Sequence, residues 1–232
     1  MTYRLLTIDL DDTLWPCAPV IEAAEAALHA WLTRAAPRLV AVHDPASLSR
    51  HRRALMAAHP ARAHDLSWVR HQSLVELLVD FGYDPALADQ GLALFLEHRR
   101  QVVPFADVVP ALEVLAESCR LVSITNGNAD VTRSPLRDLF DLSLTAAAVG
   151  AAKPDPAMFH RALDWAGVSA DQALHIGDDP YLDVAAARDL GFATVWVNRS
   201  GQAWPAALAP PSRIVGDLGE LVPWLTGDDD AF

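Results

Sequence analysis

Residues 3–10 read as one buried strand, and no second strand pattern follows until the chain has passed Pro104. From about Pro16 to Pro104 apolar residues recur instead at helical spacing, in four stretches at roughly 18–36, 45–58, 65–81 and 85–101. Pro37 and the His43-Asp44-Pro45 turn, His59-Pro60, and Gly82-Tyr83-Asp84-Pro85 separate them. From 105 onward the texture becomes an alternation. A helix at 107–118 leads into strand 120–125, with a short strand near 143–149; helix 155–166 leads into strand 172–177, helix 181–190 into strand 193–198, and strand 213–216 precedes a helix at 217–226. Parallel strands need crossover connections, and the crossing helices cover the sheet, so this rhythm predicts a mostly parallel sheet. The lone N-terminal strand belongs to that sheet only if the helical block is an insertion after it. The expected fold is therefore α/β: a Rossmann-like, mostly parallel sheet core with helices on both faces, from residues 1–15 and 105–232, plus an inserted all-helical domain over 16–104.

A chain of 232 residues suits one or two domains, and 52% apolar residues argue against disorder. No apolar stretch approaches the roughly 20 residues that span a bilayer. Asp9, Asp11 and Asp12 interrupt any secretory apolar region near the N-terminus. Cys17 and Cys119 are too few for a disulfide framework and lack partners for a zinc site. A cytoplasmic protein without a membrane segment is expected, acting as a monomer or weak dimer. The formal net charge of −12 argues against a nucleic-acid or anionic-membrane surface, and requires local positive features to hold any anionic substrate. Of the 18 Lys and Arg residues the only lysine is Lys153. No internal repeat is present, and the acidic tail Asp228-Asp229-Asp230 reads as solvated.

The first strand runs straight into Asp9-Leu10-Asp11-Asp12-Thr13. A strand continuing through these residues points Asp9 and Asp11 the same way, at the sheet edge where open α/β sheets bind ligands. Paired acids there can divide nucleophilic and acid/base work or share a cation. Taken alone, the motif reads rather as a surface turn, or as Asp12 or Thr13 capping a helix. Strand 120–125 ends in Thr125-Asn126-Gly127-Asn128, whose hydroxyl, amide and backbone N–H groups suit an oxyanion, or else form an ordinary Asn-Gly turn. Strand 172–177 ends in Gly177-Asp178-Asp179-Pro180-Tyr181-Leu182-Asp183, acids that equally suit a helix N-terminus. Between them lies Ala152-Lys153-Pro154, otherwise a solvated loop lysine.

Together, in this order and with a helical insertion after the first, these four segments resemble the haloacid-dehalogenase-like superfamily, the Asp-nucleophile phosphatases and their relatives, over essentially the whole chain. The resemblance implies a subfamily I protein in which the inserted domain is a helical cap. It implies Asp9 as nucleophile, Asp11 as general acid/base, and Lys153 as the cation offsetting nucleophile and phosphate charge. Thr125 and the backbone of Asn126 would bind phosphoryl oxygens. Mg²⁺ would sit on Asp9, the Asp11 carbonyl and Asp178, with Asp183 orienting Lys153 or a metal-bound water and Asp179 assisting.

Within that family the 2-haloacid dehalogenases lack an acid two residues after the nucleophile, whereas Asp11 is present here and suits an oxygen leaving group that needs a proton. Phosphonoacetaldehyde-type hydrolases use a cap lysine, and this cap has none. Sugar phosphomutases often carry Glu-Asp where this chain has Gly177-Asp178. The expected function is a Mg²⁺-dependent phosphatase acting on a small phosphomonoester such as a nucleotide, flavin mononucleotide or sugar phosphate. A phosphomutase and a non-catalytic phosphometabolite-binding protein are the competing readings. Arg50-His51-Arg52-Arg53 is the most basic stretch, either a solvated helix face or a contact for a second anionic group.

Overall fold

The computed structural model describes residues 3–227, so the Asp228–Asp230 tail lies outside the described residues. These residues form two compact units, one from residues up to Pro16 and from Val103 onward, the other Cys17–Val102.

The first unit is built on β1 (Leu5–Ile8), whose four residues are all buried, as the central strand of a parallel sheet requires. The helical unit separates β1 from α6 (Val108–Ala116) and β2 (Arg120–Thr125); β3 (Leu142–Thr145), α7 (Ala146–Val149), α8 (Ala157–Ala166) and β4 (Ala173–Gly177) follow. After β4 come a wide π-type turn at Pro180–Ala185, α9 (Ala186–Asp189), β5 (Ala193–Val197), β6 (Arg213–Val215) and α10 (Leu221–Thr226). All neighbouring strands are parallel, in the order β3-β2-β1-β4-β5-β6. The chain moves outward one way from β1 to β2 and β3, and the other way through β4, β5 and β6. The reversal lies at β1, and such a switch point opens a crevice at the strand C-termini. In register, Ile8 faces Ser123 of β2 and Ile176 of β4, so the three loops bearing the expected site leave the sheet side by side.

The second unit comprises α1 (Cys17–Ala35), α2 (Pro37–Val40), α3 (Pro45–Ala58), α4 (Leu66–Asp80) and α5 (Leu87–Arg99). Asp44 caps α3 by accepting from Ser47 N at 2.6 Å, with Pro45 at the first helical position, and Asp65 caps α4 by accepting from Trp68 N at 2.9 Å. Leu28, Leu32, Leu48, Leu74, Leu77, Leu78 and Phe95 form its core. Gly91 lets α5 approach closely, because a Cβ there would lie 3.2 Å from Leu28, Trp31 and Leu74 side-chain atoms. No helix among the described residues is long and apolar enough to cross a membrane.

Three local expectations are corrected. The strand near 143–149 spans Leu142–Thr145, because the Thr145 hydroxyl accepts from Ala148 N at 3.2 Å and caps the alanine-rich turn α7, which Gly150 stops in the left-handed region at φ 89°. The helix at 217–226 starts only at Leu221. The helix at 181–190 opens as the π-type turn, in which Asp183 N and Val184 N both reach Asp179 O, at 3.1 and 3.2 Å. That extra width turns Asp183 inward, where it is 2% exposed.

Candidate active site

β1 ends at Ile8, and the pleat does not carry Asp9 and Asp11 together as a continuing strand would. A tight turn does so instead. Asp12 takes the left-handed region at φ 61°, which aspartate tolerates better than most residues. Leu14 N donates to Leu10 O and Asp12 N to Trp15 O, both at 2.8 Å, and the Trp15 indole donates to Asp11 Oδ1 at 2.9 Å. Asp9 and Asp11 then line one cavity of about 170 Å³ with Thr125, Asn126, Gly127, Lys153, Asp178, Asp179, Leu182 and Asp183. All eight residues named from the sequence therefore converge.

Lys153 lies at the centre of the charge. Its ammonium donates to Asp9 Oδ1 and Asp183 Oδ1, both at 2.6 Å, and to the Ile124 carbonyl at 3.1 Å. The Lys153–Pro154 peptide is cis, and the Asn126 amide splints this backbone, accepting from Lys153 N at 2.7 Å and donating to Lys153 O at 2.9 Å. The Asn126 side chain is thus committed to holding Lys153. Gly127 N donates to Thr125 Oγ1 at 3.0 Å, which leaves the hydroxyl proton available to an incoming oxygen.

Asp183 accepts from Lys153, from Asp179 N at 3.0 Å and from His175 Nε2 at 3.2 Å. Burial opposes its charge, yet the Lys153 ammonium and the His175 ring hold its carboxyl well below the usual range. Burial also works against the Lys153 ammonium, but Asp183 and Asp9 outweigh it and push its pKa up. Burial pushes Asp9 well up, with the Asp183 and Asp178 charges adding to it against Lys153. Burial and Asp183 push Asp178 up to about 7.

Asp9, Asp178 and Asp183 each offer a carboxylate oxygen within 4.8 Å of the others. Three acids thus face one ammonium, and a divalent cation of hard character, bound by oxygen ligands, suits that excess. Asp183 joins this group, whereas the sequence reading gave it a supporting role. The Asp179 carboxylate is outside it, since its Oδ1 accepts from Tyr181 N at 2.7 Å and Leu182 N at 2.9 Å and caps the π-type turn.

Two participants escaped the sequence reading. The Thr13 hydroxyl, for which the sequence offers a helix cap only as one alternative, donates to Asp178 Oδ1 at 3.1 Å and toward Asp9 Oδ2 at 3.4 Å, linking the two acids. A hydroxyl four residues past Asp9 was its only signal. His175, fully buried in β4, accepts at Nδ1 from the Thr7 hydroxyl at 2.9 Å and directs Nε2–H at Asp183. Burial holds its pKa down despite the neighbouring Asp183 carboxylate, so it props Asp183 as a neutral ring.

The haloacid dehalogenase-like hydrolase family matches the chain over residues 3–191. A 5-amino-6-(5-phospho-D-ribitylamino)uracil phosphatase of Escherichia coli is 31% identical over 217 residues, covering 90% of this chain and 91% of that protein. A phosphoserine phosphatase of Thermus thermophilus is 31% identical over 244 residues, covering 94% and 97%. Among solved structures, a 2-haloacid dehalogenase from Pseudomonas syringae pv. Tomato is 42% identical with a TM-score of 0.91, covering 98% of this chain and 99% of that one.

Proposed function

From the premise that this chain belongs to the haloacid dehalogenase-like hydrolases, we propose that it is a Mg²⁺-dependent phosphatase of a small phosphomonoester, such as a nucleotide, flavin mononucleotide or sugar phosphate. The observation that carries the reading is the placement of Asp11 in the same cavity as Asp9 and Lys153. An alkoxide leaving group needs a proton, and a halide does not. A side chain held beside the nucleophile by the Trp15 indole can deliver that proton in the first case, whereas in the second only the later water attack on the covalent intermediate could use it.

In this reading an Asp9 oxygen attacks phosphorus, the ester P–O bond breaks, and Asp11 protonates the departing oxygen. Asp11 then takes a proton from water, which attacks the aspartyl-phosphate and frees inorganic phosphate, and splitting one displacement into two lowers each barrier. The Thr125 hydroxyl and the Asn126 backbone N–H hold phosphoryl oxygens. The Lys153 ammonium offsets the repulsion between the Asp9 carboxylate and a phosphate dianion, which is severe at short range. Asp9 and Asp178, with Asp183 beside them, would hold Mg²⁺, which when bound neutralises charge on the transferring group.

The E. coli and Thermus relatives, both phosphatases by name, support this reading. The P. syringae likeness favours a second one, in which Asp9 attacks a halogen-bearing carbon. One comparison separates them. Phosphate release from p-nitrophenyl phosphate and a phosphometabolite panel with Mg²⁺ is measured beside chloride release from 2-chloropropionate, with Asp9→Asn as the blank. Phosphate release by wild type alone is expected. Chloride release without phosphate release sinks the phosphatase reading.

A further inference from the structure

We propose that Arg199 is a positioning residue for the reaction, holding from behind the turn that places the Thr13 hydroxyl between Asp9 and Asp178. The proposal takes the site as read above. Arg199 follows the end of β5 by two residues and stands well outside the four sequence segments. Its Nε donates to the Thr13 carbonyl at 3.0 Å, and Nη1 and Nη2 donate to Asp107 Oδ1 and Oδ2 at 3.0 and 2.8 Å. The fork is therefore used on two sides at once, and a planar guanidinium bound in this way has little freedom to turn. Its flat face lies 3.9 Å from the Phe105 ring centroid, and Phe105 N in turn donates to the Leu14 carbonyl at 3.0 Å. Leu218 N donates to Asp107 Oδ2 at 2.8 Å and anchors the acid.

The same strand end holds the other partner. The Trp196 indole donates to the Asp178 carbonyl at 2.7 Å. β5 and the residues just after it thus grip both sides of the Thr13–Asp178 hydrogen bond, Arg199 through one backbone carbonyl and Trp196 through the other. The Thr13 turn needs such a grip. It contains the left-handed Asp12, and Thr13 is completely buried between two carboxylates that repel one another. A Thr13 hydroxyl displaced from this position no longer bonds both: Lys153 still holds Asp9 Oδ1, but Asp9 Oδ2 and Asp178 Oδ1 lose the donor that fixes them in the geometry that attack and cation binding require. Arg199 does not line the cavity that holds Asp9, Asp11 and Lys153, and its hydrogen bond to the Thr13 carbonyl is the link through which it acts there.

The test uses the full chain and two variants. Arg199→Gln removes the charge and the fork; Arg199→Lys keeps the charge and the stem and removes only the fork, so it guards against a variant that fails to fold. With p-nitrophenyl phosphate and saturating Mg²⁺, both are expected to lose about 10- to 100-fold in kcat, the range found for residues that orient active-site ligands. KM is expected to stay within about twofold, because the lost orientation belongs to the nucleophile and not to substrate contacts. A crystal structure of Arg199→Lys is expected to show the Thr13 hydroxyl out of hydrogen-bond range of Asp178. A kcat within about threefold of wild type in both variants, or a loss confined to KM, overturns the proposal. A Thr13 hydroxyl still bonded to Asp178 in the crystal overturns it as well. If wild type releases neither phosphate nor chloride, it is the proposed function that has failed, and the crystal structure still decides on Arg199.

Discussion

At the residue scale, the acid role proposed for Asp11 is tested by comparing a leaving group that needs a proton with one that does not. In Asp11→Asn, kcat/KM for an alkyl phosphomonoester is expected to fall by about 10²- to 10⁴-fold, the usual worth of a positioned acid or base. For p-nitrophenyl phosphate, whose leaving group departs as a stable anion, kcat/KM is expected to change little while phosphoenzyme accumulates, because water attack still lacks its base. Rapid-quench measurement on both substrates reads this, and an equal fall on both refutes the acid role. Gly177 offers a second residue-scale test. A Cβ there would lie 2.5 Å from Asp183 Oδ2, and Asp183 cannot yield, being bound by Lys153, His175 and Asp179 N. Gly177→Ala is expected to cost about 1–3 kcal/mol in urea unfolding, the range for overpacking. An unchanged midpoint refutes the close approach. Residues that carry chemistry at strand ends were legible because their type and position are both unusual. Thr13, His175 and Arg199 were not, since each is defined by a partner far along the chain: Thr7 meets His175 across 168 positions, and Arg199 meets Thr13 across 186.

At the scale of elements, the four main helices of the second unit were legible because apolar spacing and proline punctuation agree, and the side-chain caps Asp44 and Asp65 confirm two of the starts. The segment after β4 was not, because its helical spacing is real but a tertiary demand overrides it. Asp183 must turn under Gly177 to meet Lys153, and the chain widens into a π-type turn to let it. Asp179 holds that turn by its two backbone bonds, both to Oδ1, which marks it as a cap. Asp179→Ala is therefore expected to lower stability by about 0.5–2 kcal/mol, as lost caps do, while leaving Mg²⁺ affinity by calorimetry within about threefold of wild type. A collapse of Mg²⁺ affinity with stability unchanged gives Asp179 the assisting metal role that the sequence reading expected.

At the scale of the whole molecule, the β–α rhythm after residue 105 was enough to read a parallel sheet, but strand order came only from pairing: nothing local says that β1 lies between β2 and β4. That placement gathers acids from two strand ends into one small crevice of a chain whose formal charge is −12. A phosphomonoester dianion approaches such a molecule against its mean field, and only short-range groups such as Lys153 and the Thr125 hydroxyl favour its arrival. Screening reaches about 30 Å at 10 mM salt and about 8 Å at 150 mM, so added salt removes long-range repulsion before it weakens the buried contacts. At saturating Mg²⁺, kcat/KM for a dianionic phosphomonoester is expected to rise between those two concentrations, and to rise less for a substrate whose leaving group carries a compensating ammonium. A fall with salt instead means that local positive charge outweighs the net charge of the chain and steers anions in.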